Sequence, residues 1–581
     1  MVSPGLHFLL QRLAPIATVA LVYSSVHGYY FSEMPSWRAP LILLPAWMFL
    51  RWASAEIKER RAAAANGASL FPAVSEGRLP AGLSVLSKLL DSTTNGYMCD
   101  VFQEWSEKYG YTYSICTLGE RRVYTCEPDY IKAVLATQFD SFDKGPGLRG
   151  SLSSLLGNGV FAADGETWKF HRTMARPFFS NDRVSHFDIF HAAFEDLVSK
   201  VVARVDEGYP IDMQDAASKF TLDSGTAFLF GHNVGSLASE LPYPERALRP
   251  RAEHPVDAYT SSFLEAQRLT ALRSRIGWLW PVKEIRSDAV KAHADVVRRY
   301  IEPVVDQAVR SHTEKEKHVN APPSSLKQAE EDETLLDYLV KFTTDRQVLL
   351  DQIVNMLIAS RDTTANLITF AVYLLAEHPE VRARLRREIH EQVGDRRPTF
   401  EDIRGMRFLR AVLNETLRLY PAVPLNSKTA KTPVIWRSLD GEKSYYIPAH
   451  VKVLYSVFWL HRRKDLWGDD AHRFDPDRFI DDRVKRLTKN PWMFLPFNGG
   501  PRICLGQQFA YNEASFFIIR LLQKFSDIKL NMAAAPTDSL RPDSWFKNPR
   551  AGDGTERVNP SFHLTMYSKG GMWVDLVEAD D

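Results

Sequence analysis

The longest regular pattern in the chain runs from Thr344 to His378, where apolar residues return at helical spacing until Pro379 ends it. The same periodicity marks Phe187 to Val205, Met213 to Phe230, Asp257 to Ile276, Ser287 to Arg310, Phe408 to Tyr420 and Gln507 to Phe525. Alternation is scarcer. It predicts an early hairpin between Tyr111 and Thr125 around Gly119, and a terminal one from Phe562 to Tyr567 and Met572 to Val577 around Ser568-Lys569-Gly570-Gly571. Asp129 to Thr137 reads as a short helix. Gln138 to Leu156, with Gly145, Pro146, Gly147 and Gly150, reads as a loop, as do Gly231 to Pro255 and Ser311 to Glu333. The expected class is mainly α with small β-sheets.

The N-terminal pattern differs. Two apolar runs, Leu13 to Val26 and Ala39 to Trp52, are each short for a membrane span of about 20 residues. With Tyr29, Tyr30, Phe31, Trp37, Trp47 and Trp52 as interfacial anchors they predict a membrane-anchor region over 1–61, as one span or a hairpin. Arg51, Lys58, Arg60 and Arg61 place a cytoplasmic face after the second run. A cleaved signal peptide is the alternative for the first run, which Arg12 precedes. Residues 62–82, with Pro72, Gly77, Pro80 and Gly82, read as a linker, and 83–581 as the catalytic body.

Composition narrows the function. The 72 basic residues nearly balance the 71 acidic ones, a net charge of +1, which argues against a nucleic-acid partner. Four cysteines in 581 residues are too few for a disulfide framework and suit a reducing compartment.

One of them, Cys504, sits where a ligand would be placed. The stretch Phe497-Asn498-Gly499-Gly500-Pro501-Arg502-Ile503-Cys504-Leu505-Gly506 is a glycine-rich loop that opens into an apolar helix. Free backbone N–H groups and the helix's positive end favour a thiolate there. Arg502 adds a cation for a carboxylate or propionate. Taken alone, Cys504 is a buried free thiol after a turn. The match at Phe497, Gly500, Arg502, Cys504 and Gly506 points instead to a haem-thiolate loop, and through it the chain resembles the cytochrome P-450 superfamily.

Three further signatures follow in that superfamily's order and extend the resemblance over most of the chain. Trp168 and Arg172, four apart on one helix face, match the pair that holds a haem propionate. Asp362 and Thr363, inside Ala359-Ser360-Arg361-Asp362-Thr363-Thr364, match the acid and alcohol that deliver protons to bound dioxygen, although Ser360 stands where the superfamily has the glycine that widens the oxygen groove. By itself Thr363 would bond back to a carbonyl one turn earlier. Glu415 and Arg418, otherwise a solvated helix pair, match a network that Arg478 completes under the cysteine loop. The propionate-binding arginine that many relatives place near Leu425 is missing.

The resemblance implies a haem b monooxygenase that uses O2 and takes NADPH electrons from a separate cytochrome P-450 reductase, with cytochrome b5 as a further donor. Its place is the endoplasmic reticulum membrane, the body on the cytosolic side. Val423, Leu425, Asn426, Leu564 and Thr565 fall where substrate contacts are expected. The runs Asn498 to Glu513, His461 to Asp465 and Phe220 to Ser224 are similar to fungal enzymes that hydroxylate n-alkanes and fatty acids at or near the chain end. Aromatic hydrocarbons and terpenoids are the alternative substrates. A haem-thiolate isomerase, dehydratase or peroxygenase, or a non-enzymatic membrane haem sensor, would dispense with the reductase.

Overall fold

The computed structural model describes residues 3–11, 38–77, 82–117, 119–179, 187–247, 249, 252, 254–318, 333–547 and 556–579. Helices dominate, as the periodicity predicts. Those that build the site are α1 (Arg38–Ala65), α2 (Gly145–Leu156), α3 (Gly165–Ala175), α4 (Met213–Phe230), α5 (Pro255–Ile276), α6 (Arg346–Glu377), α7 (Arg407–Leu419) and α8 (Gln507–Lys524).

Helix α6 is the axis of the body. Asp345 caps it by accepting from the backbone N–H groups of Gln347 and Val348. From Leu349 to Leu375 nearly every side chain is buried, so the helix is enclosed all round rather than along one stripe. It packs on α4, α7 and α8. Helix α4 starts where Asp212 accepts from Gln214 and Asp215 N–H, and it stops at Gly231, whose φ of 69° is left-handed.

The strands gather at the edges of this helical core. In the largest sheet the order is β1 (Thr112–Thr117), β2 (Glu120–Thr125), β8 (Lys452–Ser456), β5 (Leu425–Ala430), β3 (Phe142–Asp143). Only the β2–β8 pair is parallel, with Tyr124 opposite Leu454, while β5 runs antiparallel to β8 with Asn426 opposite Tyr455. Small sheets join β6 (Val434–Arg437) to β7 (Ser444–Ile447), and β4 (Ile211–Asp212) to β12 (Trp573–Glu578) and β9 (Phe525–Leu530).

Two expectations are revised. Residues 145–156 form α2 and not a loop, because Leu152, Leu155 and Leu156 at helical spacing are buried and Pro146 suits a first turn. Gly145 is required: its φ is +76°, and a Cβ there would lie 2.4 Å from Thr429 Oγ1. The terminal hairpin is shifted, since β10 (Pro560–Phe562) turns through 563–565 into β11 (Met566–Ser568), while β12 leaves to pair with β9 and β4.

The segment 62–77 is tied down rather than free. Ser69 bridges Tyr445, Ala73 bridges Ser114, and Phe71 stacks on Tyr445 at 4.2 Å. The second apolar run is the first half of α1, which continues through charged residues to Glu56 and Glu59, both paired with Arg121 of β2. Among the described residues no helix is long and apolar enough to cross a membrane. The first run, with Tyr29, Tyr30, Phe31 and Trp37, lies outside the described residues.

Candidate functional site

The cysteine loop is shaped by two left-handed residues. Asn498 has φ 64° and accepts from the Tyr455 hydroxyl at 3.1 Å; Gly500 has φ +66° and crosses the Leu135 carbonyl so closely that a Cβ would lie 2.0 Å from its oxygen. The turn then closes with Cys504 N–H donating to the Phe497 carbonyl at 3.0 Å. Cys504 keeps exposed surface although protein surrounds its sulfur, so it faces an internal cleft. Burial pushes its thiol up, against the pull of the Gly506 N–H and the Arg172 guanidinium. The loop and helix end therefore oppose desolvation without overcoming it, and a bound metal cation would complete the ionisation.

Around the loop the chain assembles cations. The Arg502 guanidinium lies 4.4 Å from the Trp168 ring centroid and donates to Asp164 Oδ1 at 2.8 Å and to the Ala163 carbonyl at 3.1 Å. Arg172 lies over the same ring at 5.8 Å. Two more cations were not foreseen. Lys428 of β5 is 2% exposed, and its Nζ has no hydrogen-bond partner among the described residues. Burial, then Lys144 and Arg502, hold it well below the ordinary lysine range; burial and Arg502 likewise bring Lys144 down to about 8.

A buried ammonium with no partner is costly unless an anion joins it. The donor set thus fits a haem: Cys504 would hold its iron, and Trp168, Arg172, Arg502 and Lys428 would meet its carboxylates. Lys428 stands three residues after Leu425, on the opposite face of β5. Leu425 itself packs against the sheet core. The signal available in the sequence was a single lysine inside the short strand Leu425–Ala430.

Asp362 and Thr363 lie side by side on α6, both half-buried. Arg361 Nη1 donates to Asp362 Oδ1 at 2.7 Å, while the amide of Gln267 from α5 lies beside the same carboxylate. Burial nevertheless raises the acid, with Arg361 and Gln267 opposing. Thr363 Oγ1 donates to the Ala359 carbonyl at 2.6 Å, the bond expected of any mid-helix threonine, which leaves its lone pairs as acceptors. Ser360 packs against the facing helix. Its side chain is turned toward α4, where a Cβ on Gly225 would lie 2.9 Å from its Oγ.

The supporting network is buried, not solvated. Arg418 donates to Glu415 through Nε at 2.6 Å and Nη2 at 2.8 Å, and both side chains are 0% exposed. Arg478 Nε reaches Glu415 at 3.4 Å. Arg418 also donates to the carbonyls of His461 at 2.7 Å, Ala471 at 2.5 Å and Arg473 at 3.0 Å. The sequence reading missed His461. Its Nε2 accepts from Leu495 N–H at 2.9 Å, and the Leu495 carbonyl accepts from Asn498 N–H at 3.1 Å, joining the network to the cysteine loop. Burial, then Arg418 and Arg462, bring His461 down to about 3, so it is neutral.

The expected substrate contacts fall near one another. Met566 N–H donates to the Ala422 carbonyl at 2.9 Å, bringing the turn with Leu564 and Thr565 beside Val423, and Asn366 of α6 donates to the Met566 carbonyl at 3.0 Å. Asn426 instead uses its side-chain oxygen to accept from Ser427 N–H.

Two predictions follow from these contacts. In Lys428→Gln the haem-free protein gains thermal stability while haem dissociates about tenfold faster, the loss of roughly one charge-assisted hydrogen bond, measured by haem transfer to an acceptor protein. Because His461 holds its proton less readily folded than unfolded, its contribution is present above pH 6.5 and is lost as pH falls toward 3, at up to about 1.4 kcal/mol per pH unit. Thermal unfolding between pH 7 and 5 tests this: His461→Gln, which can still accept from Leu495 N–H, shows the shallower slope.

Comparison with known proteins agrees with this geometry. The family model Cytochrome P450 matches residues 78–549. Cytochrome P450 52A3-A of Candida maltosa is 34% identical over 85% of this chain and 88% of its own length. Cytochrome P450 52A10 of the same organism is 37% identical over 73% and 79%, and Cytochrome P450 monooxygenase himC of Aspergillus japonicus 34% over 74% of each. With the thiolate loop, the cation set and the acid–alcohol pair in one molecule, this chain belongs to the cytochrome P450 family and is a haem-thiolate monooxygenase.

Proposed function

We propose that the enzyme hydroxylates n-alkanes and fatty acids at or near the chain end. The observation that carries the chemistry is Cys504, held on a rigid turn with the Arg172 guanidinium acting on its sulfur, Arg502 next to Arg172, and the unpartnered Lys428 next to Arg502. The substrate class rests on the similarity to the 52A proteins. We assign haem b as the cofactor, O2 as co-substrate, and NADPH–cytochrome P-450 reductase, with cytochrome b5, as electron source. The anchor region 1–61 would hold body 83–581 on the cytosolic face of the endoplasmic reticulum.

When bound, the haem supplies dioxygen activation, with the thiolate's electron density favouring O–O cleavage. The chain's residues do the rest. Asp362, raised by burial and held at one oxygen by Arg361, is poised to take a proton from solvent and release it inward. Thr363, its own proton committed to the Ala359 carbonyl, presents acceptor lone pairs to the groove. Phe497 and the glycine loop keep Cys504 in place, and the buried cations orient the cofactor by its carboxylates.

The test is the carbon monoxide difference spectrum of the reduced protein, followed by titration with a long-chain fatty acid. A red-shifted thiolate band that Cys504→Ala abolishes, and a low- to high-spin shift on titration, are expected. A thiolate band without that shift would remove the lipid substrate. Thr363→Ala should retain haem but divert most reducing equivalents to peroxide, measured as peroxide formed per NADPH; unchanged coupling would assign Thr363 to packing alone.

A further inference from the structure

Glu513 lies on α8, 0% exposed, and plays no part in the chemistry above. Its Oε1 is 2.5 Å from Ser224 Oγ of α4, and that same hydroxyl is 2.7 Å from the Phe220 carbonyl. A hydroxyl has one proton, and a carbonyl can only accept, so Ser224 spends its proton on Phe220. The contact with Glu513 then needs a proton from the carboxyl. Burial acts in the same direction, pushing Glu513 from 4.5 up to about 8; among the described residues the hydroxyls of Ser224 and Thr364 pull back and no charged side chain acts on it.

The other carboxyl oxygen points to α6. Glu513 Oε2 has no hydrogen-bond partner among the described residues, and neither has Thr364 Oγ1, which is 1% exposed. Thr363 and Thr369 on the same helix both donate to the carbonyl four residues earlier, each at 2.6 Å. Thr364 forgoes that bond and acts on Glu513 instead. A buried acid between two hydroxyls is a costly way to fill a core that leucine would fill better. Its position gives it a use, since Thr364 directly follows the acid–alcohol pair.

We propose that Glu513 is a positioning residue: a proton-carrying bridge from α8 to Ser224 and Thr364 that fixes the rotation of α6 at Asp362 and Thr363. The catalytic consequence rests on the reading of that pair given above; the protonation does not.

Three measurements on the haem-loaded enzyme separate these points. Infrared spectra at neutral pH should contain a protonated-carboxyl C=O band that Glu513→Gln removes; spectra without that difference overturn the neutral acid. The folded carboxyl keeps its proton up to about 8 and the unfolded one loses it near 4.5, so its contribution is full below 4.5 and is lost as pH rises through 8. Thermal unfolding of Glu513→Gln should therefore lack a downward slope that the wild type has in that window, and equal slopes overturn the proposal. Glu513→Gln, which can donate to Ser224 and accept from Thr364, should keep the wild-type yield of product per NADPH. Glu513→Leu should keep the thiolate spectrum and substrate KM but lose coupling several-fold to peroxide. Wild-type coupling in Glu513→Leu overturns positioning, while uncoupling by Thr363→Ala reports separately on the pair itself.

Discussion

A single buried ion pair, Glu415 with Arg418, is the point on which the cysteine loop hangs. Both side chains are out of water, a condition that repays its desolvation cost only when every remaining donor is used. Arg418 meets that condition by spending its guanidinium on one carboxylate and three carbonyls. Each of those carbonyls belongs to the irregular segment 461–473, which has no strand or long helix to hold it. The pair thus does for a coil what a hydrogen-bond ladder does for a sheet. His461 carries the constraint on to Leu495, and the turn at Asn498 and Gly500 carries it to Cys504.

A different kind of constraint governs the opposite side of the loop. Arg172, Arg502, Lys144 and Lys428 converge on a region where Asp164 is the nearest ion-pair partner, bound to Arg502 at 2.8 Å. Burial first, and then the like charges held this close, shift both lysines down. The protein is therefore strained electrostatically in the direction that a dianionic cofactor relieves, and binding free energy becomes folding free energy.

The sequence made the long elements legible because they are driven by apolar periodicity. Met213 to Phe230 and Gln507 to Phe525 were found to within a residue, as were the chemical motifs with fixed spacing. What it hid depends on tertiary contact. Residues 145–156 carry three glycines and a proline, yet buried leucines decide for a helix. Lys428 and His461 look ordinary until the fold removes their water. Leu425 and Lys428 show the limit most directly: in a strand they face opposite sides, and only the folded chain puts one in the sheet core and the other beside Lys144 and Arg502.

Helix α6 shows why substitutions in such a site come in pairs. At successive positions it meets different neighbours: Ser360 faces Gly225, the Arg361 carbonyl accepts from Thr221 at 3.0 Å, Asp362 meets Gln267, Thr364 meets Glu513, and Asn366 meets Met566. A helix gripped from all sides cannot turn to accommodate one altered side chain. The volume that Ser360 adds relative to the expected glycine is accommodated on the facing helix at Gly225, where any Cβ would collide with the serine hydroxyl. Ala359 and Thr363 remain joined by their own hydrogen bond, and the departure at 360 is a change in how two helices pack.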